Sequence, residues 1–313
     1  MAESYPKTIL ELEQWFATDD ACREYLFQLR WPNGFVCPRC HETDAWPASR
    51  GRFVCRSCRH QTSVTAGAIF ENTRKPLTLW FLAIWYITSQ KNGASAANLQ
   101  QILGLSSYQT AWTWLHKLRR AMVRPGREKL TGVVEVDETY VGGEDPKDGT
   151  WAEQKAIVVI GAEEDGAGIG RIRLATIPRR TRKHLQGFVR EMIEVESVVH
   201  TDGLPAYTGI DAMGYKHRQT VLNRQKAKNA ASNLLPRVHR VASLLKRWLL
   251  GTHQGAVSAE HLDYYIDEFA FRFNRRTSRS RGKLFYRLLQ QAVEIAPTTY
   301  KSMVGGTSET PEH

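Results

Sequence analysis

The spacing of hydrophobic residues divides the chain into a helical N-terminal part and a part that mixes strands with helices. Residues 7–30 place apolar side chains three and four positions apart, and this spacing predicts helices. The same spacing returns from Leu77 to about Met122. A Pro-Gly pair at residues 125–126 indicates a linker, and beyond it the hydrophobic period becomes that of strands. The pattern therefore predicts separate regions on either side of this linker.

Beyond the linker, short apolar runs predict strands and longer amphipathic runs predict helices. In chain order they are the strands VVEVDETYVG, KAIVVIGAEED and RIRLATIP, the helix RKHLQGFVREMI, the strand SVVHTDG, and helices at about 235–250 and in HLDYYIDEFAFRFNRR. Three strands, a helix, a fourth strand and more helix predict an α/β domain.

One pair of helices in the N-terminal part has the layout of a helix-turn-helix. The segment SAANLQQILGLSSYQTAWTWLHKLRRAM predicts a helix over about 95–103, a turn at Gly104 and a second helix over about 108–120. The second helix ends in Arg119 and Arg120, which we predict to contact DNA. Helical hairpins that bind no DNA are also common, so the layout alone leaves both interpretations open.

Four of the five cysteines fall in one short window, as Cys37-x2-Cys40 and Cys55-x2-Cys58. Two CxxC turns separated by 14 residues have the spacing of a zinc ribbon, in which four thiolates surround one structural zinc ion. The alternative, a pair of redox CxxC motifs, requires a thioredoxin-like βαβ context that the flanking sequence lacks. We therefore predict one Zn²⁺ site.

The charge of the chain favours a polyanionic partner. Lysine and arginine number 43 against 32 acidic residues, which gives a formal net charge of +11. Nucleic acid is the first candidate for such a surface. No apolar run approaches the length of a membrane span, and the N-terminus is polar and acidic, unlike a signal peptide. We expect an intracellular protein without a membrane partner.

Carboxylates interrupt two of the predicted strands. In VVEVDETYV, alternation places Glu135, Asp137 and Thr139 on one face of the strand, and Glu138 faces the other way. A buried ionised carboxylate costs several kcal/mol unless a basic group or a metal ion compensates it. Asp202 follows a β-branched run in VVHTDG and precedes a glycine. Asp202 either caps that turn or shares a divalent cation with Asp137.

The motifs EVDETYVGG, HTDGLPAY and SLLKRWLLGTH, followed by DEFAFRFNRR, resemble insertion-sequence transposases of the DDE type with an N-terminal zinc ribbon, the ISXO2-like group. The resemblance extends from about Tyr25 to Leu288. It implies an RNase H-like catalytic domain that cleaves and joins DNA with two Mg²⁺ or Mn²⁺ ions. It also implies that Asp137 is the first metal-binding acid, on the first strand, and Asp202 the second, after the fourth strand.

The third metal ligand departs from the commonest pattern of this group. There a Glu or Asn, and in some branches a His, precedes a Lys by seven residues on a helix, which assigns His239 and Lys246. Seven residues are two helical turns, so these two side chains share a face. An imidazole suits Mn²⁺ better than Mg²⁺. Three readings stay open: His239 is a variant ligand, Asn233 or Glu260 serves instead, or the enzyme is impaired.

The predicted fold is multidomain: a zinc ribbon, a helical, helix-turn-helix-like region and an α/β RNase H-like catalytic domain. The predicted boundaries are 1–30 for N-terminal helices, 31–72 for the zinc ribbon, 73–125 for the helix-turn-helix-like region, 130–295 for the catalytic domain and 296–313 for a flexible tail. Two further basic runs, RQKAKNAASNLLPRVHR and RFNRRTSRSRGK, lie inside the catalytic domain. The predicted DNA contacts are Arg119, Arg120, Arg240, Arg247, Arg275 and Arg276.

We therefore expect a DNA transposase that acts as a homo-oligomer on double-stranded DNA, both terminal inverted repeats and target. Its expected location is the cytoplasm of a bacterial-type cell, in association with the nucleoid. Two alternatives predict different behaviour. A zinc-ribbon regulator with a non-catalytic α/β domain keeps its activity when Asp137 is replaced. A metal-dependent nuclease cleaves DNA but does not join element ends to a target.

Overall fold

The computed structural model describes residues 3–124, 126–142, 155–220, 234–255 and 257–304. The chain divides into two compact units, one formed by residues 1–125 with 278–313 and the other by residues 126–277. The first boundary between the units thus falls within the Pro-Gly linker. Residues 278–295, which the sequence places in the catalytic domain, belong instead to the first unit. Asn233, the start of the first basic run and the end of the predicted tail lie outside the described residues.

Helices and a small sheet make up the first part of the first unit. The helices are α1 (Ile9–Trp15), α2 (Asp19–Arg30), α3 (Leu77–Ser89), α4 (Ala96–Leu103) and α5 (Tyr108–Ala121). The strands of the antiparallel sheet are, in spatial order, β1 (Ala45–Ala48), β2 (Arg52–Cys55) and β3 (Gln61–Ser63). The described helices α1 and α2 begin after threonines, Thr8 and Thr18, whose hydroxyls accept hydrogen bonds from the first turn.

Helices α4 and α5 form the predicted hairpin. The Ser95 hydroxyl accepts a hydrogen bond from the Asn98 N–H and begins α4. Gly104 ends it in a left-handed conformation, with φ of 60°, where a residue with a Cβ is strained. Ser107 precedes α5 as its N-cap residue. The turn between the two helices is therefore short, and its geometry depends on Gly104.

The second unit is built on a five-stranded mixed sheet. Its strands are β4 (Val133–Val141), β5 (Ala156–Asp165), β6 (Gly168–Ile177), β7 (Val198–Thr201) and β8 (Lys216–Gln219). Its helices are α6 (Arg182–Met192), α7 (Pro236–His253) and α8 (Leu262–Phe273). The strand order is β6-β5-β4-β7-β8; β4 and β5 pair antiparallel, as do β5 and β6, while β7 is parallel to both β4 and β8. This is an α/β fold of the RNase H-like kind, with β4 first and β7 fourth in the chain.

Each face of this sheet packs against different helices. Val134 and Val136 of β4 belong to the core formed with α6. Ile160, which pairs with Asp137, belongs to the core formed with α7 and α8. Because side chains alternate along a strand, Glu135 and Asp137 lie on the α7 face and Glu138 lies on the α6 face.

The C-terminal part of the described chain completes the first unit. Its helices are α9 (Arg281–Ala292) and α10 (Tyr300–Val304). The Phe285 ring packs 5.7 Å from both Phe81 and Trp85, centroid to centroid. A Cβ on Gly282 would lie 1.8 Å from the Pro6 carbonyl oxygen, so only glycine allows this close approach. Among the described helices, none is long and apolar enough to cross a membrane.

Candidate active site

Two carboxylates meet at the junction of β4 and β7. The parallel register pairs Glu135 with His200, and its continuation by two residues brings Asp137 level with Asp202, directly after β7. Burial raises the pKa of the Asp137 carboxyl, and the nearby charge of Asp202 raises it further. The Asp202 carboxylate itself accepts a hydrogen bond of 3.0 Å from the Leu204 N–H. Asp202 therefore caps its turn and also lies close to Asp137, so the cap is observed and a shared cation stays a prediction.

Helix α7 brings His239 to the Asp137 carboxylate. Its Nε2 lies 3.2 Å from the Asp137 Oδ2 atom, and its side chain is 40% exposed. The structure thus brings the side chains of Asp137, Asp202 and His239 together. Glu260, the alternative, is exposed in a short 3-10 turn that follows α7.

Glu135 fixes the start of α7. Its side chain is 1% exposed, and Oε2 accepts hydrogen bonds from the N–H groups of Arg237 (2.8 Å) and Val238 (3.0 Å). The Arg237 guanidinium also donates to Oε1 at 2.9 Å. A carboxylate at this place satisfies free N–H groups of the first helical turn and interacts favourably with the helix dipole. Glu135 therefore positions His239 over Asp137.

Glu138 fixes the loop that carries Asp202. It faces the opposite side of the sheet from Asp137, and the buried Tyr207 hydroxyl donates to its Oε2 at 3.0 Å. Arg180 lies 3.3 Å from its other oxygen. Burial raises the pKa of Glu138, and the Asp137 charge adds to the effect. Because Tyr207 follows Asp202 by five residues, this hydrogen bond ties the loop to β4.

A second group of possible metal ligands lies at Glu135, Glu164 and His200, whose ligand atoms are within 4.8 Å of one another. Arg237 lies 3.3 Å from Glu164, in addition to its contacts with Glu135. The His200 Nδ1 accepts from Arg218 at 2.9 Å, since an arginine can only donate, and Nε2 therefore donates to a threonine hydroxyl. Arginines already neutralise this group, so it does not fit a cation.

The four predicted zinc ligands also come together. The Sγ atoms of Cys37 and Cys58 are 3.6 Å apart, and those of Cys40 and Cys55 are 3.5 Å apart. All four lie within 4.8 Å of one another, close to the separation of about 3.8 Å expected for thiolates around tetrahedral zinc. This donor set fits Zn²⁺ and leaves no open position for catalysis.

Two family models match the chain on these same regions. The model of the ISXO2-like transposase domain matches residues 129–274, and that of the transposase zinc-ribbon domain matches residues 17–61. The chain thus carries an ISXO2-like transposase domain together with a transposase zinc-ribbon domain. A relative in Halobacterium salinarum, named an uncharacterized protein in transposable element ISH50, is 27% identical to this chain over 288 residues. The match covers 86% of this chain and 94% of the relative.

Two solved structures align with the transposase, both at low similarity. The Mos1 strand transfer complex aligns with a TM-score of 0.28 and 11% identity, over 74% of this chain and 79% of that chain. A simian T-cell lymphotropic virus intasome in complex with a PP2A regulatory subunit aligns with a TM-score of 0.30 and 13% identity, over 61% and 74%. At such TM-scores the likeness supports no shared function.

The predicted DNA contacts of the transposase fall into different environments. Arg119 is 1% exposed and donates a hydrogen bond of 3.3 Å to the Ala94 carbonyl within the first unit. A side chain buried in this way cannot reach a phosphate, so its prediction as a DNA contact is withdrawn. Arg120 is half-buried, at the end of α5. On α7, by contrast, Arg240, Lys246 and Arg247 are all exposed.

Arg275 and Arg276 are held by the protein itself. The Arg275 guanidinium donates to the Phe271 carbonyl and lies 4.0 Å over the Phe271 ring. Arg276 donates to the carbonyl oxygens of Ile169 and Phe273 and stacks on the Phe273 ring. These contacts give both arginines a structural role at the end of α8, where the sequence predicts phosphate contacts.

Proposed function

We propose that Asp137, Asp202 and His239 bind the catalytic divalent ions of this DNA transposase. The observation that carries the proposal is the contact of 3.2 Å between His239 Nε2 and Asp137 Oδ2, beside a carboxylate on the adjacent strand. Within the described residues, neither aspartate forms an ion pair with a lysine or arginine. Two carboxylates that no described lysine or arginine pairs with, together with an imidazole, suit a divalent cation.

The roles of the chain's own residues follow from their places. Asp137 would bridge two ions, Asp202 would hold one and His239 the other. Ions bound there, Mg²⁺ or Mn²⁺, would activate the attacking hydroxyl and stabilise the leaving oxygen during strand cleavage and transfer. Lys246 is exposed two turns after His239, on the same face of α7, and would contact a phosphate of the transferred strand.

The proposed substrate is double-stranded DNA, both the terminal inverted repeats of the element and a target. Arg240 and Arg247 on α7 and Arg120 on α5 are the proposed contacts that remain available. The zinc ribbon, with one structural Zn²⁺, would bind the element ends together with the helix-turn-helix. Since two ends must be joined, we also propose a homo-oligomer on DNA, acting at the nucleoid of a bacterial-type cell.

End cleavage and joining by the purified full-length chain test this proposal. The variants are His239→Ala and His239→Glu, with His261→Ala as a matched control from the same unit. We expect loss of activity with His239→Ala under both metals, and activity with His239→Glu under Mg²⁺. Wild type should favour Mn²⁺, because imidazole is a softer ligand than oxygen.

The outcomes separate the open readings. Full activity of His239→Ala would place the third ligand elsewhere. Activity of His239→Glu that exceeds wild type under both Mg²⁺ and Mn²⁺ would identify a chain impaired by its histidine. Cleavage without joining in the wild type would support the nuclease alternative, and neither reaction under either metal would contradict the proposal.

A further inference from the structure

The connection between β6 and α6 carries a concentration of positive charge that the sequence predictions did not use. It consists of residues 179–183, Arg-Arg-Thr-Arg-Lys, and is called the basic connection below. Four of its five side chains are cationic, none is acidic, and all four cationic residues are exposed.

The basic connection lies at the sheet end that carries the catalytic site. β4 and β6 are both antiparallel to β5, so they run in the same direction, and β7 is parallel to β4. The basic connection follows the C-terminal end of β6, as Asp202 follows that of β7. Arg180 lies 3.3 Å from Glu138, the neighbour of Asp137, and 5.6 Å over the Tyr140 ring.

The backbone of the basic connection is held in place by its own hydrogen bonds. The Thr181 N–H donates to the Arg179 carbonyl at 2.9 Å. The His184 Nδ1 lies 3.0 Å from the same carbonyl, and the Thr181 hydroxyl is the N-cap of α6. These bonds use backbone groups, Thr181 and His184, and do not involve the head groups of Arg179, Arg182 and Lys183.

The charges of the basic connection are poorly compensated within the protein. Arg180 pairs with Glu138, but Arg179, Arg182 and Lys183 form no ion pair with any described residue. Arg182 and Lys183 are also the first two residues of α6, where the positive end of the helix dipole disfavours cations. Three charges in this place do not stabilise the fold, so we attribute them to the binding of an external anion.

We propose that the basic connection binds the phosphate backbone of the DNA strand that enters the Asp137–Asp202 site. The proposal rests on the proposed function of that site. Phosphates of a strand that ends at the two aspartates would pass this edge of the sheet, beside the Arg180–Glu138 pair. Contacts of this kind hold the strand in register and read no base sequence.

The test is the salt dependence of DNA binding, measured by fluorescence anisotropy in EDTA-free buffer without Mg²⁺ or Mn²⁺. The test variant is Arg182→Gln with Lys183→Gln. The matched control, Arg190→Gln with Lys216→Gln, removes the same two residue types from exposed positions in the same unit. The probes are a duplex with the element end and a duplex of the same length and random sequence.

The slope of the logarithm of affinity against the logarithm of salt concentration counts released counterions, about 0.9 for each phosphate contact on duplex DNA. We expect the slope of the test variant to be shallower by nearly two on both probes, and that of the control to change by less than half as much. The charge-conserving variant Arg182→Lys with Lys183→Arg should keep the wild-type slope even if the glutamine variant folds poorly.

Equal slopes for test variant, control and wild type would overturn the proposal, and would leave an acidic protein as the partner to examine. A slope that becomes shallower on the element-end duplex alone would also overturn the proposal, because backbone contacts do not depend on sequence. This measurement needs no catalysis, so a failure of wild type to cleave DNA would contradict the proposed function without altering the slopes.

Discussion

Two groups of carboxylates in the same sheet have opposite surroundings. Glu163, near one end of β5, accepts hydrogen bonds from the Arg171 guanidinium, at 2.6 Å, and from the Thr131 N–H, at 2.9 Å. These donors lower the pKa of Glu163 despite its burial. Asp137, on the neighbouring strand, lies beside another carboxylate and an imidazole, and its pKa is raised by burial.

The difference shows which carboxylates serve the fold and which are available to a cation. Glu135, Glu163 and Glu164 each contact an arginine, so the protein itself neutralises them. The chain contains 43 lysines and arginines, yet among the described residues none pairs with Asp137 or Asp202. An uncompensated pair of this kind is unfavourable unless an ion binds, and this is the usual condition of a metal site.

Asp137→Asn should show most strongly how the Asp137–Asp202 pair differs from the carboxylates that contact an arginine. We expect end cleavage and joining to fall by at least about 10²-fold, the scale for loss of one preorganised electrostatic group. The melting temperature measured without divalent ions should stay equal or rise, because the variant removes a buried, repelled charge. Asp165→Asn, an exposed aspartate at the end of β5, is the control and should change neither quantity. A large fall in melting temperature would mean that Asp137 serves the fold.

Glu135→Gln should have the largest effect on stability. It leaves the half-buried Arg237 guanidinium without its closest acidic partner and removes the charge at the start of α7. Loss of one partner from a buried ion pair costs about 3–5 kcal/mol, and the retained amide hydrogen bonds place the expected loss near 3 kcal/mol. Urea unfolding measures it. Glu164→Gln, which removes the more exposed partner of Arg237, should cost less than about 1 kcal/mol.

Mn²⁺ should stabilise the protein only through the aspartate site. At a free concentration of 100 times its dissociation constant, a ligand that binds only the native state adds about 2.7 kcal/mol. We expect this stabilisation in zinc-loaded wild type and in Glu164→Gln, but not in Asp137→Asn. Retention of the effect in Asp137→Asn together with its loss in Glu164→Gln would place the ion at Glu135, Glu164 and His200 instead.

The sequence predicted the site residues better than the contacts that hold them in position. Asp137 interrupts an apolar strand and Asp202 follows one, which singled out both residues, but their assignment to one metal site came from the family resemblance. The partners of Glu135 are Arg237 and Val238, about a hundred residues downstream, and no local pattern reports such a contact. Sequence reasoning could state only that a buried Glu135 needs a compensating group.

Three features of the fold were not recognisable from local patterns. β8, Lys216–Gln219, is a polar edge strand without hydrophobic alternation. Arg119 looks like a surface cation at the end of a helix, but the Ala94 carbonyl and the surrounding core bury it. Helix α9 continues the helical period of the catalytic region, and its tertiary packing, such as that of Phe285 and Gly282, assigns it to the first unit.

Glu163→Gln should have a small effect on stability, and the pH dependence of that effect should be the one expected for a carboxylate that contacts an arginine. The variant keeps some hydrogen bonds and loses the charge, and Arg171 is partly exposed, so we expect a loss of about 1–2 kcal/mol at pH 7. The folded pKa of Glu163 lies below that of an unfolded glutamate, about 4.3. Its contribution is therefore complete above that value and disappears as the pH falls through the folded pKa.

Urea unfolding of wild type and Glu163→Gln between pH 7 and pH 3 measures this difference, with the exposed Glu194→Gln as control. The gap between wild type and Glu163→Gln should narrow only below about pH 5, and the control should show no gap. A gap that widens toward low pH would mean that the folded pKa of Glu163 is raised, as for Asp137. The arginine contact would then fail to distinguish the two groups, because burial would dominate both.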